Sequence, residues 1–98
     1  MTEALPLSVP SDLSQWAFAM QRRLEERLQC TQLQVLDESH QHAGHAGANA
    51  VGYGSHFRVR IASPLFESLP RVQRHRLVYD ALQDFLDAGV HALAIELL

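Results

Sequence analysis

His56-Phe57-Arg58-Val59-Arg60-Ile61-Ala62 alternates cleanly between polar and apolar side chains. Successive side chains of a β-strand point to opposite faces. The run therefore predicts a strand that buries Phe57, Val59 and Ile61 and turns Arg58 and Arg60 the other way. Toward the C-terminus, Ser63-Pro64 stops the strand and Leu65-Phe66-Glu67 forms one short turn. Pro70 then opens a long helix, since its fixed φ and missing N–H suit a first turn. The apolar stripe of that helix is Val72, His75, Val78, Tyr79, Leu82, Phe85 and Leu86, and Gly89 is its C-terminal cap. The last strand runs from Val90 to Leu97.

Toward the N-terminus, Gln32 to Glu38 is a second strand, with Leu33, Val35 and Leu36. Before it, Leu13, Trp16, Ala17, Met20, Leu24 and Leu28 recur at helical steps, with Ser11 as N-cap. Arg22, Arg23, Glu25, Glu26 and Arg27 take the opposite face. Residues 1–10 read as a flexible leader and 11–98 as one domain. The order α-β-β-(short α)-α-β implies an α+β sandwich: a three-stranded mixed sheet with helices on one face. Its last strand follows a helical crossover, so it lies parallel to its neighbour and is reached by a right-handed connection.

Composition narrows the function classes. Ninety-eight residues, 47% of them apolar, suffice for one core. The net charge of −3 and the absence of lysine give no bulk attraction to nucleic acid or anionic membranes. A single cysteine, Cys30, excludes an internal disulfide and any Cys-rich metal site. It ends a helix beside Leu28, where burial as a small hydrophobe is expected. No apolar run nears the ~18 residues of a membrane span, so a cytoplasmic protein is expected.

Three groups of residues are candidates for chemistry. Between Asp37 and Phe57 lie four of the six histidines and four of the five glycines. His40, His42 and His45 have an H-x-H-x-x-H spacing in this loop, without the nearby carboxylate of a complete zinc set. Either the loop is a solvated connector, or it supplies one ligand to a metal that another molecule completes. Second, Arg71, Arg74 and Arg76 crowd the first turns of a helix, where the macrodipole disfavours each cation by about 0.3–1 kcal/mol. They either grip an anion or pair with Glu67, Asp80 or Asp84. His75, on the apolar stripe, is expected to be packed and hydrogen-bonded. Third, His91 opens the last strand. By alternation it shares the core face with Leu93, Ile95 and Leu97, as a packing residue or as a rigidly held ligand. Ser39 and Ser55 flank histidines, but no nucleophile elbow accompanies them. The chain is not expected to be an enzyme.

Four stretches together resemble the BolA family: Asp37-Glu38-Ser39-His40, Ser55-His56-Phe57-Arg58-Val59, Arg74-His75-Arg76-Leu77-Val78-Tyr79 and Val90-His91-Ala92-Leu93. The resemblance spans Leu13 to Leu97 and implies a small α/β domain related to the class II KH fold. It also implies a monothiol glutaredoxin partner and a 2Fe–2S cluster shared with that protein and glutathione, with none held by the isolated chain. In that arrangement His91 is one ligand and a loop residue is the other. Counting from Asp37-Glu38-Ser39 the loop residue is His42, with His45 and His40 as alternatives. A second role implied by the family is transcriptional regulation through duplex DNA. It would use the helix-turn-helix-like region 65–76, with Arg71, Arg74 and Arg76 on phosphates. Against it, Phe66-Glu67-Ser68-Leu69-Pro70 lacks the G-x-x-G of nucleic-acid-binding KH loops.

Overall fold

Phe57, Val59 and Ile61 are at most 2% exposed, as the alternation demands. The computed structural model describes residues 9–39 and 55–98. Its elements are α1 (Trp16–Leu28), β1 (Gln32–Asp37), β2 (His56–Ala62), α2 (Arg71–Ala81), α3 (Gln83–Ala88) and β3 (Ala92–Leu97), with 3-10 turns over Leu13–Gln15 and Pro64–Phe66. The sheet order is β1-β2-β3. β1 lies antiparallel to β2, with Val35 opposite Val59, and β3 lies parallel to β2, with Phe57 opposite Leu93. The expected α+β order and mixed sheet are both present.

From α1, Trp16, Met20, Leu24 and Leu28 enter the core and meet Val78, Ala81, Leu82 and Phe85 above Val35, Phe57, Val59 and Ile61. Each of the Val, Leu, Ile, Phe and Met side chains among them contributes about 1.5–3 kcal/mol by leaving water. Trp16 meets Phe85 edge-on at 5.7 Å, and its indole N–H donates to the Pro10 carbonyl at 2.8 Å. The Ser63 hydroxyl donates to the Leu28 carbonyl, tying the end of β2 to the end of α1.

Four local expectations are corrected. Asp12, not Ser11, caps the first helical turn, accepting the Ser14 N–H at 2.9 Å; α1 itself starts at Trp16. Arg23 is not on a solvated face: its guanidinium spans to α3, bonding both Asp84 oxygens at 2.7 and 2.9 Å and the Ala81 carbonyl at 3.0 Å. The long second helix is divided at Leu82 (φ −110°, ψ 15°), whose N–H is shared between the Val78 and Tyr79 carbonyls. The spacing of Val78, Ala81, Leu82 and Phe85 continues through this joint, so periodicity alone shows one helix. Finally, the stripe is rotated. Val72 is 65% exposed and Tyr79 is 38% exposed, while His75 is only half-buried beside them.

Candidate functional site

The ends of β1, β2 and β3 nearest the histidine-rich segment are joined by a buried polar relay. The Ser39 hydroxyl donates to Asp37 Oδ1 at 2.5 Å and accepts the backbone N–H groups of Ser55 at 2.8 Å and His56 at 3.0 Å. The Asp37 carboxylate also accepts the Ser39 N–H at 2.9 Å, and the Glu38 N–H donates to the His56 carbonyl at 2.8 Å. Ser39, Ser55 and His56 are buried. Serine favours such local bonds to backbone, which here substitute for ladder bonds where the strands end.

Ser55 serves both neighbouring histidines. Its Oγ lies 2.9 Å from His56 Nδ1, and its carbonyl accepts the N–H of His91 at 2.8 Å and of Ala92 at 3.1 Å. The imidazoles of His56 and His91 lie with centroids 5.4 Å apart, tilted by 51°. β3 begins at Ala92, so His91 stands one residue outside the strand and is exposed. This corrects the expected core-facing position, because strand alternation does not extend to a residue before the first ladder pair.

Among the described residues, no three His, Cys, Asp or Glu side chains gather to hold a metal ion. The exposed imidazole of His91 is a single anchored donor. It fits a group whose other ligands come from elsewhere, not one closed by this part of the chain. His40, His42 and His45 lie outside the described residues.

Adjacent to this end, on the helix-free face of the sheet, Arg58 of β2 ties β3 to the residue that follows β1. It bonds Glu38 at 3.0 Å and Glu96 at 2.7 Å, and Arg60 adds a 3.0 Å bond to Glu96. The hydrogen bonds that Arg58 donates, first to Glu38 and then to Glu96, hold its pKa above the usual value.

The arginine group opens α2 as expected, but it is not a single cluster. Arg74 Nε donates to the Leu69 carbonyl at 2.7 Å, so it braces the turn before the helix. Arg71 and Arg76 are exposed and form no ion pair among the described residues. The alternative pairing with Asp84 is not made, because Asp84 is taken by Arg23. Cys30 is half-buried against the core, its Sγ 3.5 Å from the Leu24 carbonyl, and burial raises its thiol pKa. Sequence reasoning missed Ser39 and Ser55 as the relay. Their only signal is position, at the ends of two strands, and burial cannot be read from a serine.

No described helix is long and apolar enough to cross a membrane. The sequence matches the family described as BolA-like protein over residues 24–98. It is 47% identical over 78 residues to an uncharacterized Sinorhizobium protein encoded in the cobS 5′ region, covering 79% of this chain and 83% of that one. It is 45% identical to the chloroplastic protein BOLA1 of Arabidopsis thaliana, covering 81% of this chain and 50% of that one. The chain thus spans most of the bacterial relative but about half of this plant one. Among solved structures, the BolA domain of SufE1 from Arabidopsis thaliana superimposes with a TM-score of 0.72 at 42% identity, covering 83% of this chain and 87% of that one. The alternation of β2, the parallel β3 entered through His91 and these matches lead to one conclusion: the chain belongs to the BolA family.

Proposed function

We propose that the protein is a non-enzymatic partner of a monothiol glutaredoxin, sharing a bridged 2Fe–2S cluster with it in iron–sulfur trafficking or iron and redox sensing. The observation that carries this reading is His91: an exposed imidazole whose backbone is held by the Ser55 carbonyl. An anchored donor with an open face suits a half-site completed by another molecule. When bound, a cluster with imidazole in place of thiolate on one iron has a raised potential. His91 would hold the iron from this chain. A second ligand is proposed among the histidines of segment 40–54, His42 first, with His45 and His40 as alternatives. Glutaredoxin and glutathione would supply the thiolates.

Reconstitution of the mixed proteins with iron and sulfide tests this. The expected product is a coloured heterodimer with mixed Cys/His ligation by visible circular dichroism. If His91→Ala left both complex and spectrum unchanged, the ligand assignment would be wrong. A colourless complex would mean that the chain binds only the apo-glutaredoxin.

A second reading is favoured by Arg71 and Arg76, exposed at the start of α2 and, among the described residues, without ion pairs. In it the chain binds duplex DNA through region 65–76, with Arg74 as the third phosphate contact. Binding should weaken with salt and on Arg71→Ala or Arg76→Ala. Absence of binding near physiological salt removes this reading.

A further inference from the structure

We propose that His56 is a positioning residue that sets the orientation of the His91 imidazole. The inference rests on the reading of His91 as a ligand, and it arises from the contact between the two rings. His56 sits on β2 opposite Ala92. In the alternation that sends Phe57, Val59 and Ile61 into the core, it belongs to the opposite, helix-free face of the sheet. Yet it is only 8% exposed. A histidine kept for the main core would have shared the Phe57 face.

The cross-strand neighbour of His56, Ala92, carries only a methyl group. His56 instead lies against the ring of His91, at 5.4 Å between centroids. Its own ring is held by Ser55, with Nδ1 2.9 Å from the Ser55 hydroxyl. One serine thus sets both elements of the pair, since the Ser55 carbonyl also holds the His91 backbone at 2.8 Å.

Backbone anchoring alone leaves an exposed imidazole free about χ1 and χ2, and that freedom is lost when the side chain binds. A buried ring packed on one side removes part of the freedom beforehand, which is preorganisation. Metal-binding histidines are commonly oriented by outer groups that hydrogen-bond their second ring nitrogen, and loss of such a group weakens binding by about 10–100-fold. Here the orienting contact is ring against ring, with Ser55 behind it.

Two variants separate this role from plain support of the fold. His56→Gln keeps a polar group for the Ser55 hydroxyl but removes the ring; His56→Phe keeps a ring but loses the polar atom. In the free protein, NMR side-chain couplings of His91 should show one dominant rotamer in the wild type and in His56→Phe. Rotamer averaging should appear in His56→Gln. In the reconstituted glutaredoxin complex, His56→Gln should release its cluster to a chelator about 10-fold faster than wild type, with the apo-complex unaffected. The proposal is overturned if His91 couplings are the same in wild type and His56→Gln, or if His56→Phe loosens His91 as much as His56→Gln does. Failure of the wild type to hold any cluster would count against the glutaredoxin reading, and the free-protein couplings would still decide the role of His56.

Discussion

Ser39 and Ser55 flank residues 40–54 and bond to each other directly: the Ser39 hydroxyl accepts the Ser55 N–H at 2.8 Å, with the two serines only 1% and 2% exposed. Where the chain leaves β1 and rejoins β2, this bond is joined by those of the His56 N–H to the same hydroxyl and of the Glu38 N–H to the His56 carbonyl. The Ser55 carbonyl passes the constraint to His91.

Ser39→Ala removes the acceptor of two buried backbone donors, those of Ser55 and His56. Each orphaned buried donor costs about 1–3 kcal/mol, so the variant should lose at least that much unfolding free energy and unfold at lower denaturant concentration. Amide exchange at Ser55 and His56 should quicken more than in α1. A variant as stable as wild type, with unchanged exchange at these amides, would show that the relay carries no weight.

The Arg23–Asp84 pair gives the fold an acid-sensitive component. The hydrogen bond from Arg23 holds the Asp84 carboxyl below its usual pKa of 3.8. A carboxyl depressed in the folded state contributes stability that is fully present above its unfolded pKa and lost as pH falls through the folded one. Asp84 is 44% exposed, so solvent screening limits the contribution to at most about 1 kcal/mol. Urea unfolding of wild type and Asp84→Asn should differ near neutral pH, and the difference should shrink as pH falls below the usual carboxyl value of 3.8 and through the lower folded one. The Arg23 guanidinium also lies over the Phe85 ring, 5.2 Å from its centroid, and a difference that persists undiminished in acid would assign the effect to that packing, not to charge.

Gln29 ends α1 in the left-handed region, with φ 51° and ψ 50°. A side chain there meets its own backbone at a cost of about 1–2 kcal/mol, which glycine avoids at a smaller entropic cost. Gln29→Gly should raise the melting temperature, by up to about 1 kcal/mol of stability. Gln29→Val should lower it, because a β-branched residue fits that region worst. Equal melting points for both variants would mean that the turn relaxes to another conformation.

Much of the fold was legible in the chain because burial on one face leaves a period in the sequence. Phe57, Val59 and Ile61 mark β2 by alternation, and Trp16, Met20, Leu24 and Leu28 mark the buried face of α1 by helical spacing. In the second helical region the same rule was ambiguous. Val72-His75-Tyr79 and Val78-Leu82-Phe85 are both spaced at three and four residues, and spacing does not say which of two adjoining series faces the sheet. Contact with α1 chose the second. The break at Leu82 left no trace either, since the inward positions keep their phase across it.

The candidate site divides in the same way. His91 stood out in the sequence as a histidine at the opening of an apolar strand. Its exposure did not, because whether residue 91 lies inside or just before β3 depends on the pairing with β2, which begins at His56 and Ala92. The sequence by itself thus determined the strands, the helical regions and their order, though not the division at Leu82, because hydrophobic periodicity is a property of neighbours along the chain. Only the tertiary structure decided that Ser39, Ser55, His56 and His91 meet. Hydrogen bonds and ring contacts between residues far apart in sequence leave no period to read, and depend on the register of three paired strands.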